Sequence, residues 1–147
     1  MKKSFGFTLI ELLVVVAIIS IIMSITLGSI VESRKSARDA KRITDIKSIT
    51  NGLALYAASN EGAYPASASS CNTSDWTALG TELSEAFPDG LPIDPVNDGG
   101  RCYQYILAPG NVCGAPNPAY AIYFAAERTA FNLPTYGADS NFFCFTP

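Results

Sequence analysis

The sequence predicts an α+β fold: one long N-terminal helix carrying a small head built on a three-stranded antiparallel β-sheet. Three observations lead there. An apolar run from Phe7 to Val31 passes without proline into a stretch of helical period. Turn residues then gather between Ala66 and Gly100. Three short alternating or aromatic segments close the chain. With 147 residues there is room for about one domain.

The apolar run comes first. The chain is 48% hydrophobic and only 16% charged, and the apolar excess lies between Phe7 and Val31. No charge interrupts Leu12 to Val31, and the polar residues there are Ser and Thr, which can bond back to their own helix carbonyls. About 20 such residues span a bilayer core. A cleaved secretory signal has a shorter apolar core and a small-residue cut site, so a retained anchor is the better reading. Orientation is contested within the sequence. Arg34, Lys35, Arg38, Lys41 and Arg42 follow the span, opposed by Glu32 and Asp39, and this bias alone would place the C-terminal part in the cytoplasm. The cysteines and the N-terminal motif argue for export, and we give them precedence. Glu11 is the odd residue, because a carboxylate near a membrane interior costs about 2.5–3.5 kcal/mol.

Gly6-Phe7-Thr8-Leu9-Ile10-Glu11-Leu12-Leu13-Val14, behind the basic Lys2-Lys3, resembles the class III signal of type IV pilins and type II secretion pseudopilins. The resemblance covers each position of that pattern and the whole N-terminal helix. It implies the pilin fold, cleavage by a prepilin peptidase between Gly6 and Phe7, and N-methylation of the new Phe7 amine. It implies that Glu11 guides assembly by pairing with the Phe7 amine of a neighbouring subunit. A carboxylate one helical turn from a new cation suits such a pair inside an apolar bundle, whereas an uncleaved chain would leave Glu11 unpaired. The resemblance also implies partners: copies of the chain in a filament, the peptidase, an inner-membrane assembly platform, and the lipid bilayer before assembly. The subunit would be single-pass in the cytoplasmic membrane and then part of a filament outside it. Many relatives carry proline where this chain has Gly28. Glycine costs about 1 kcal/mol in a helix against about 3 for proline, so either a milder weak point between Ser24 and Ser29 or a close helix approach follows.

The helix continues from Glu32 to Ser59, with Ile43, Ile46, Ile49, Leu53 and Tyr56 as one apolar stripe and Gly52 as a tolerated interruption. Asn60-Glu61-Gly62 and Pro65 stop it. From Phe7 to Ser59 it would run about 80 Å, more than a small head can cover, so its first half needs lipid or other copies. The basic cluster from Arg34 to Arg42 reads as a solvated helix face or subunit contact. It lacks interleaved aromatics, and the net charge of -3 opposes general nucleic-acid binding. Removing Lys2 and Lys3 would leave eight basic against 13 acidic side chains. The expected organisation is therefore a leader over 1–6, an assembly helix over 7–31, its amphipathic half over 32–60 and a head over 61–147.

In the head, Ser74 or Asp75 caps a short helix whose apolar face is Trp76, Leu79, Leu83 and Phe87. Leu91 to Gly100 is a turn-rich connector. The expected strands are Cys102–Leu107, Tyr120–Ala126 and Asn141–Thr146, with a loop from Ala108 to Pro118 between the first two. Leu91-Pro-x-Asp-Pro95 and Tyr103-Gln-Tyr105 resemble the post-helix loop and first strand of the major pseudopilins. That subgroup often binds calcium near its C-terminus. Tyr136-Gly137-Ala138-Asp139-Ser140 matches only the start of the calcium motif, and one aspartate is too few, so no metal or other cofactor is expected. Asp94, Asn97 and Asp98 are better explained as turn formers.

Cys71, Cys102, Cys113 and Cys144 are even in number and widely spaced, which reads as two disulfides in an oxidising compartment; three pairings are open. The chain contains no histidine, no nucleophile motif and no phosphate loop, so an enzyme is not expected. A structural filament subunit is. The cysteines and the incomplete calcium motif favour a surface pilus, with a secretion or competence pseudopilus as the alternative. A receptor role would look to the Ala108–Pro118 or Phe131–Tyr136 loops.

Overall fold

The computed structural model describes residues 6–98, 100–128 and 142–147. Helix α1 covers Leu9–Ser59 and is helical through Gly28. The chain divides into two compact units, 1–35 and 36–147. In the second, strand β1 (Ala68–Ser69) and helix α2 (Thr73–Glu82) precede β2 (Gln104–Leu107), β3 (Tyr120–Ala125) and β4 (Phe142–Phe145). The sheet is antiparallel throughout, in the order β1-β2-β3-β4. It thus has four strands, not three. The added strand is two residues of Ala-Ser composition, too short to show a period, and its pairing with Tyr105 and Gln104 creates it.

The predicted stripe of α1 is the floor of the core. Ile46, Ile49 and Leu53 are at most 2% exposed, and Ile43 and Tyr56 pack at the margin. Each fully buried aliphatic side chain of this kind contributes about 1.5–3 kcal/mol. Tyr120, Ile122 and Phe124 of β3 belong to the same cluster, with Tyr103, Tyr105 and Phe143. The alternate residues Ala121 and Tyr123 form a second cluster with Cys144, Val112 and Cys113. Period-2 alternation therefore serves two buried faces, and the loop after β2 covers the second.

Helix α1 ends where expected: the Gly62 amide bonds the Ala57 carbonyl at 2.8 Å, with Glu61 and Gly62 both at positive φ. Gly52 is more than tolerated. A Cβ there would overlap the Phe87 ring and lie 3.3 Å from the Ala86 methyl, so glycine lets the end of the α2 segment close on α1. The cap of α2 is Asn72, not Ser74 or Asp75. Its carbonyl oxygen accepts from the Ser74 amide and hydroxyl, and its amide donates to Asp75. The face holds as foreseen, with Trp76, Leu79 and Leu83 buried and Phe87 packed beside them.

Candidate functional site

The N-terminal unit presents a side-chain surface that water does not favour. Phe7 is 83% exposed, and the large apolar residues from Leu9 to Val31 whose side chains are described are all at least 46% exposed. The window is long and apolar enough to cross a membrane, with a mean hydropathy of 2.7. So extensive an exposed apolar surface requires lipid or protein against it. Within it Ser20 and Ser24 return their hydroxyl protons to helix carbonyls at 2.7 and 2.8 Å, removing the polar penalty locally, and Ser33 does the same just beyond it at 2.7 Å.

At the start of this unit, Gly6, Phe7 and Thr8 are exposed and lie outside the helix, so the Gly6–Phe7 bond sits in non-helical backbone. Thr8 and Glu11 then close a reciprocal cap. The Thr8 amide and hydroxyl donate to Glu11 Oε2 at 2.9 and 2.7 Å, and the Glu11 amide donates back to Thr8 Oγ1 at 3.3 Å. Glu11 is therefore not unpaired in the single chain. Both bonds fall on Oε2, which leaves Oε1 for a partner.

The second arrangement lies in the head unit. Arg42 is fully buried, and its guanidinium forks onto Asp94, Nε to Oδ2 at 2.7 Å and Nη2 to Oδ1 at 2.9 Å. Its Nη1 donates to Asp39 at 2.6 Å and to Glu127 at 3.2 Å. One turn earlier, Arg38 forks onto Glu127 with both bonds at 2.6 Å. The Glu127 amide closes the set by donating to Asp39 Oδ1 at 3.0 Å, leaving Asp39 Oδ2 buried without a partner. Two cations face three carboxylates, a geometry that planar guanidinium groups satisfy and ammonium groups would not.

Electrostatics follow from the pairing. The Arg38 fork, assisted by Arg42, outweighs burial and holds the Glu127 carboxyl down at about 2. Burial pushes Asp94 up, but the Arg42 fork and the Val96 and Asn97 amides outweigh it and keep its carboxyl below the ordinary range. Burial, with the Asp45 carboxylate accepting its hydroxyl proton at 2.9 Å, raises Tyr103 well beyond its usual value.

Residues 1–27 match the family described as the prokaryotic N-terminal methylation motif. The type II secretion system core protein G of Vibrio cholerae serotype O1 is 32% identical over 120 residues, covering 76% of this chain and 75% of that protein. This chain belongs to the type IV pilin and secretion pseudopilin family. The core protein G of Aeromonas hydrophila is 28% identical over 114 residues, covering 74% of this chain and 76% of that one. No solved structure matches the chain significantly. The family is structural, and this member is not an enzyme.

The predicted residues of this pilin-family chain fall as follows. Gly6, Phe7 and Glu11 sit together at the exposed N-terminal end. The cysteines pair as Cys71–Cys102 and Cys113–Cys144, with Cα atoms 5.4 and 5.6 Å apart. The first ties the turn before α2 to the entry of β2. The second ties the loop covering Tyr123 to β4. Tyr136–Ser140, Phe131–Tyr136 and Asp139 lie outside the described residues. Among the described residues no group of acids or cysteines is placed to hold a metal. The basic cluster is a correction: Arg38 and Arg42 are not a solvated face but the inner half of the clasp, while Lys35 and Lys41 pair along the helix with Glu32 and Asp45. Asp94 makes the foreseen turn, bonding the Val96 and Asn97 amides, and is also the principal partner of Arg42. Sequence reasoning missed the clasp and the Thr8–Glu11 cap. The latter had a visible signal, a Thr-x-x-Glu spacing before an apolar run.

Proposed function

We propose that this chain is a structural subunit of a helical pilin-like filament, assembled through the N-terminal half of α1. The observation that carries this is the exposed apolar surface of the described residues from Phe7 to Met23 and of Ile30 and Val31, directly behind the Gly6–Phe7 junction. Processing removes residues 1–6 and methylates Phe7, and the mature amine enters an apolar bundle. There Glu11 pairs with the Phe7 amine of the neighbouring copy, using the oxygen its own cap does not occupy. Before assembly the subunit resides in the cytoplasmic membrane, where a prepilin peptidase and an assembly platform act on it; afterwards residues 61–147 form the outward head on the amphipathic helix 32–60.

Of the two filament types, the secretion pseudopilus has the stronger support, because both relatives named above are core protein G of a type II secretion system and align over about three quarters of the chain. A surface pilus is the second reading, supported by the two disulfides that staple a head exposed to oxidising surroundings. Mass measurement of the mature N-terminus is expected to show loss of six residues and gain of one methyl; an intact chain overturns the processing. Glu11→Ala should insert normally and form no filaments, and normal filaments would refute the pairing. Deleting the chain separates the types: loss of exoprotein release marks a pseudopilus, loss of surface fibres a pilus.

A further inference from the structure

The charges of the head unit are not evenly spent. Lys41, Arg38, Arg42 and Arg101 each pair with a carboxylate of the same chain. Among the described residues of this unit, Lys47 makes no ion pair, and neither do Glu61, Glu82, Glu85 and Asp89. The unspent cation lies midway along the amphipathic half of α1. Glu61, Glu82, Glu85 and Asp89 lie just beyond its C-terminal end and on the last turns around α2, while Asp75, also outside any ion pair, is held by the Asn72 amide at the start of α2.

Each of these sites adjoins a concavity with apolar side chains at its edge. Glu82 and Glu85 line a groove of about 270 Å³ together with the last turns of α1, and Leu55, 57% exposed, stands in the same groove. Lys47 borders a slot of about 50 Å³ whose other walls are Ile43, Ile46, Phe124 and Phe145. One location thus offers an exposed leucine side chain flanked by negative charge. The other offers an apolar slot flanked by positive charge.

We propose that these two surfaces are the halves of one contact between neighbouring heads: the exposed Leu55 of one copy lies over the Lys47 slot of the next, with Lys47 against Glu82 and Glu85. The proposal rests on the filament reading above and names the contact between heads that follows from it. The two halves are different patches of the same molecule, so the contact is heterologous. A heterologous contact that does not close into a ring propagates without limit and yields a helical array. Lys47 and Leu55 are eight residues apart, so parallel copies joined this way are offset by about 12 Å along α1. Leu55 covering the slot supplies apolar contact, and the rim charges set register and exclude the reversed pairing.

The test is charge exchange in the full-length chain. Lys47→Glu is expected to reduce filament yield by about tenfold or more, because a like-charge clash repeats at every subunit. Combining it with Glu82→Lys and Glu85→Lys should restore filaments, which a mere folding defect would not allow. As a second measurement, Lys47→Cys and Glu85→Cys chains are co-expressed and treated with a short bismaleimide; a covalent pair is expected only between the two different variants. Wild-type filaments with a normal yield for Lys47→Glu, no rescue by the exchange while Trp76 fluorescence reports folded heads, or no cross-link would each overturn the contact. Absence of any Glu11-dependent filament from the wild-type chain would instead sink the filament reading itself.

Discussion

Replacing Arg42 by alanine is the most direct test of what attaches the head to its helix. Arg42 donates four hydrogen bonds to three carboxylates, and its side chain and that of Asp94 are fully buried. Removing it leaves Asp94 and Asp39 in the interior with only Arg38 nearby, and Arg38 is about one-third exposed and already committed to Glu127. Truncating one partner of a buried ion pair costs about 3–5 kcal/mol, a large share of the 5–15 kcal/mol that holds a typical domain. Arg42→Lys keeps the charge but cannot fork, so an intermediate loss is expected. The assay is urea unfolding of the full chain in detergent, followed by Trp76 fluorescence. Trp76 is the only tryptophan, is 5% exposed, and stands 6.3 Å from the ring of Tyr103 in the same core. A double-mutant cycle with Asp94→Asn should give a coupling of about 0.5–3 kcal/mol. A loss below about 1 kcal/mol for Arg42→Ala, the scale of a surface pair, would refute the reasoning, as would additive behaviour in the cycle.

Acid should loosen the same clasp. Glu127 titrates at about 2 in the fold against an ordinary 4.5, so its stabilisation is complete above about 4.5 and is lost as pH falls towards 2, and Asp94 contributes in the same direction. Urea midpoints measured from pH 7 down to 2.5 should drop within that window, and Glu127→Gln should flatten the drop. Gly52→Ala gains about 1 kcal/mol of helix propensity but forces Phe87 aside, an overpacking cost of about 1–3 kcal/mol, so a modest net loss in urea stability is expected. Changing Cys113 and Cys144 together to serine opens a link spanning 31 residues, and unfolding should become easier by about 3–4 kcal/mol. An unchanged midpoint would mean that the loop over Tyr123 is held by other contacts.

What could be read from the sequence was what repeats with a period or sits next to its partner. The α1 stripe, the α2 face and the three longer strands each carry enough residues for a period to show. The two-residue β1 does not; only its partners Gln104 and Tyr105 define it. The same limit hid the clasp. Arg42 and Asp94 are 52 residues apart, and Arg38 and Glu127 are 89 apart. In sequence the arginines look like a basic run on a solvated helix, because burial of a charge depends on a partner that only the fold supplies. Gly52 is similar: its reason is the Phe87 ring, 35 positions on. The cysteine pairing stayed open until the sheet fixed which thiols are neighbours. By contrast Gly6, Phe7, Thr8 and Glu11 lie within six positions, and their arrangement was there to be read.

The clasp also has a mechanical side. In the proposed filament, a pull on the N-terminal half of α1 would reach the head along that helix. Within the head unit, Arg38 and Arg42 come before the apolar stripe that begins at Ile43. Dispersion contacts yield gradually when two surfaces are peeled apart one row at a time. Forked ion pairs behave differently: two parallel bonds must lengthen together, and the buried Arg42 and Asp94 have no water beside them to receive the separated charges. Placed at the leading edge, they convert peeling into shear and spread the force over Ile46, Ile49 and Leu53 at once. In that filament, a head fastened in this way would resist unzipping from its own helix.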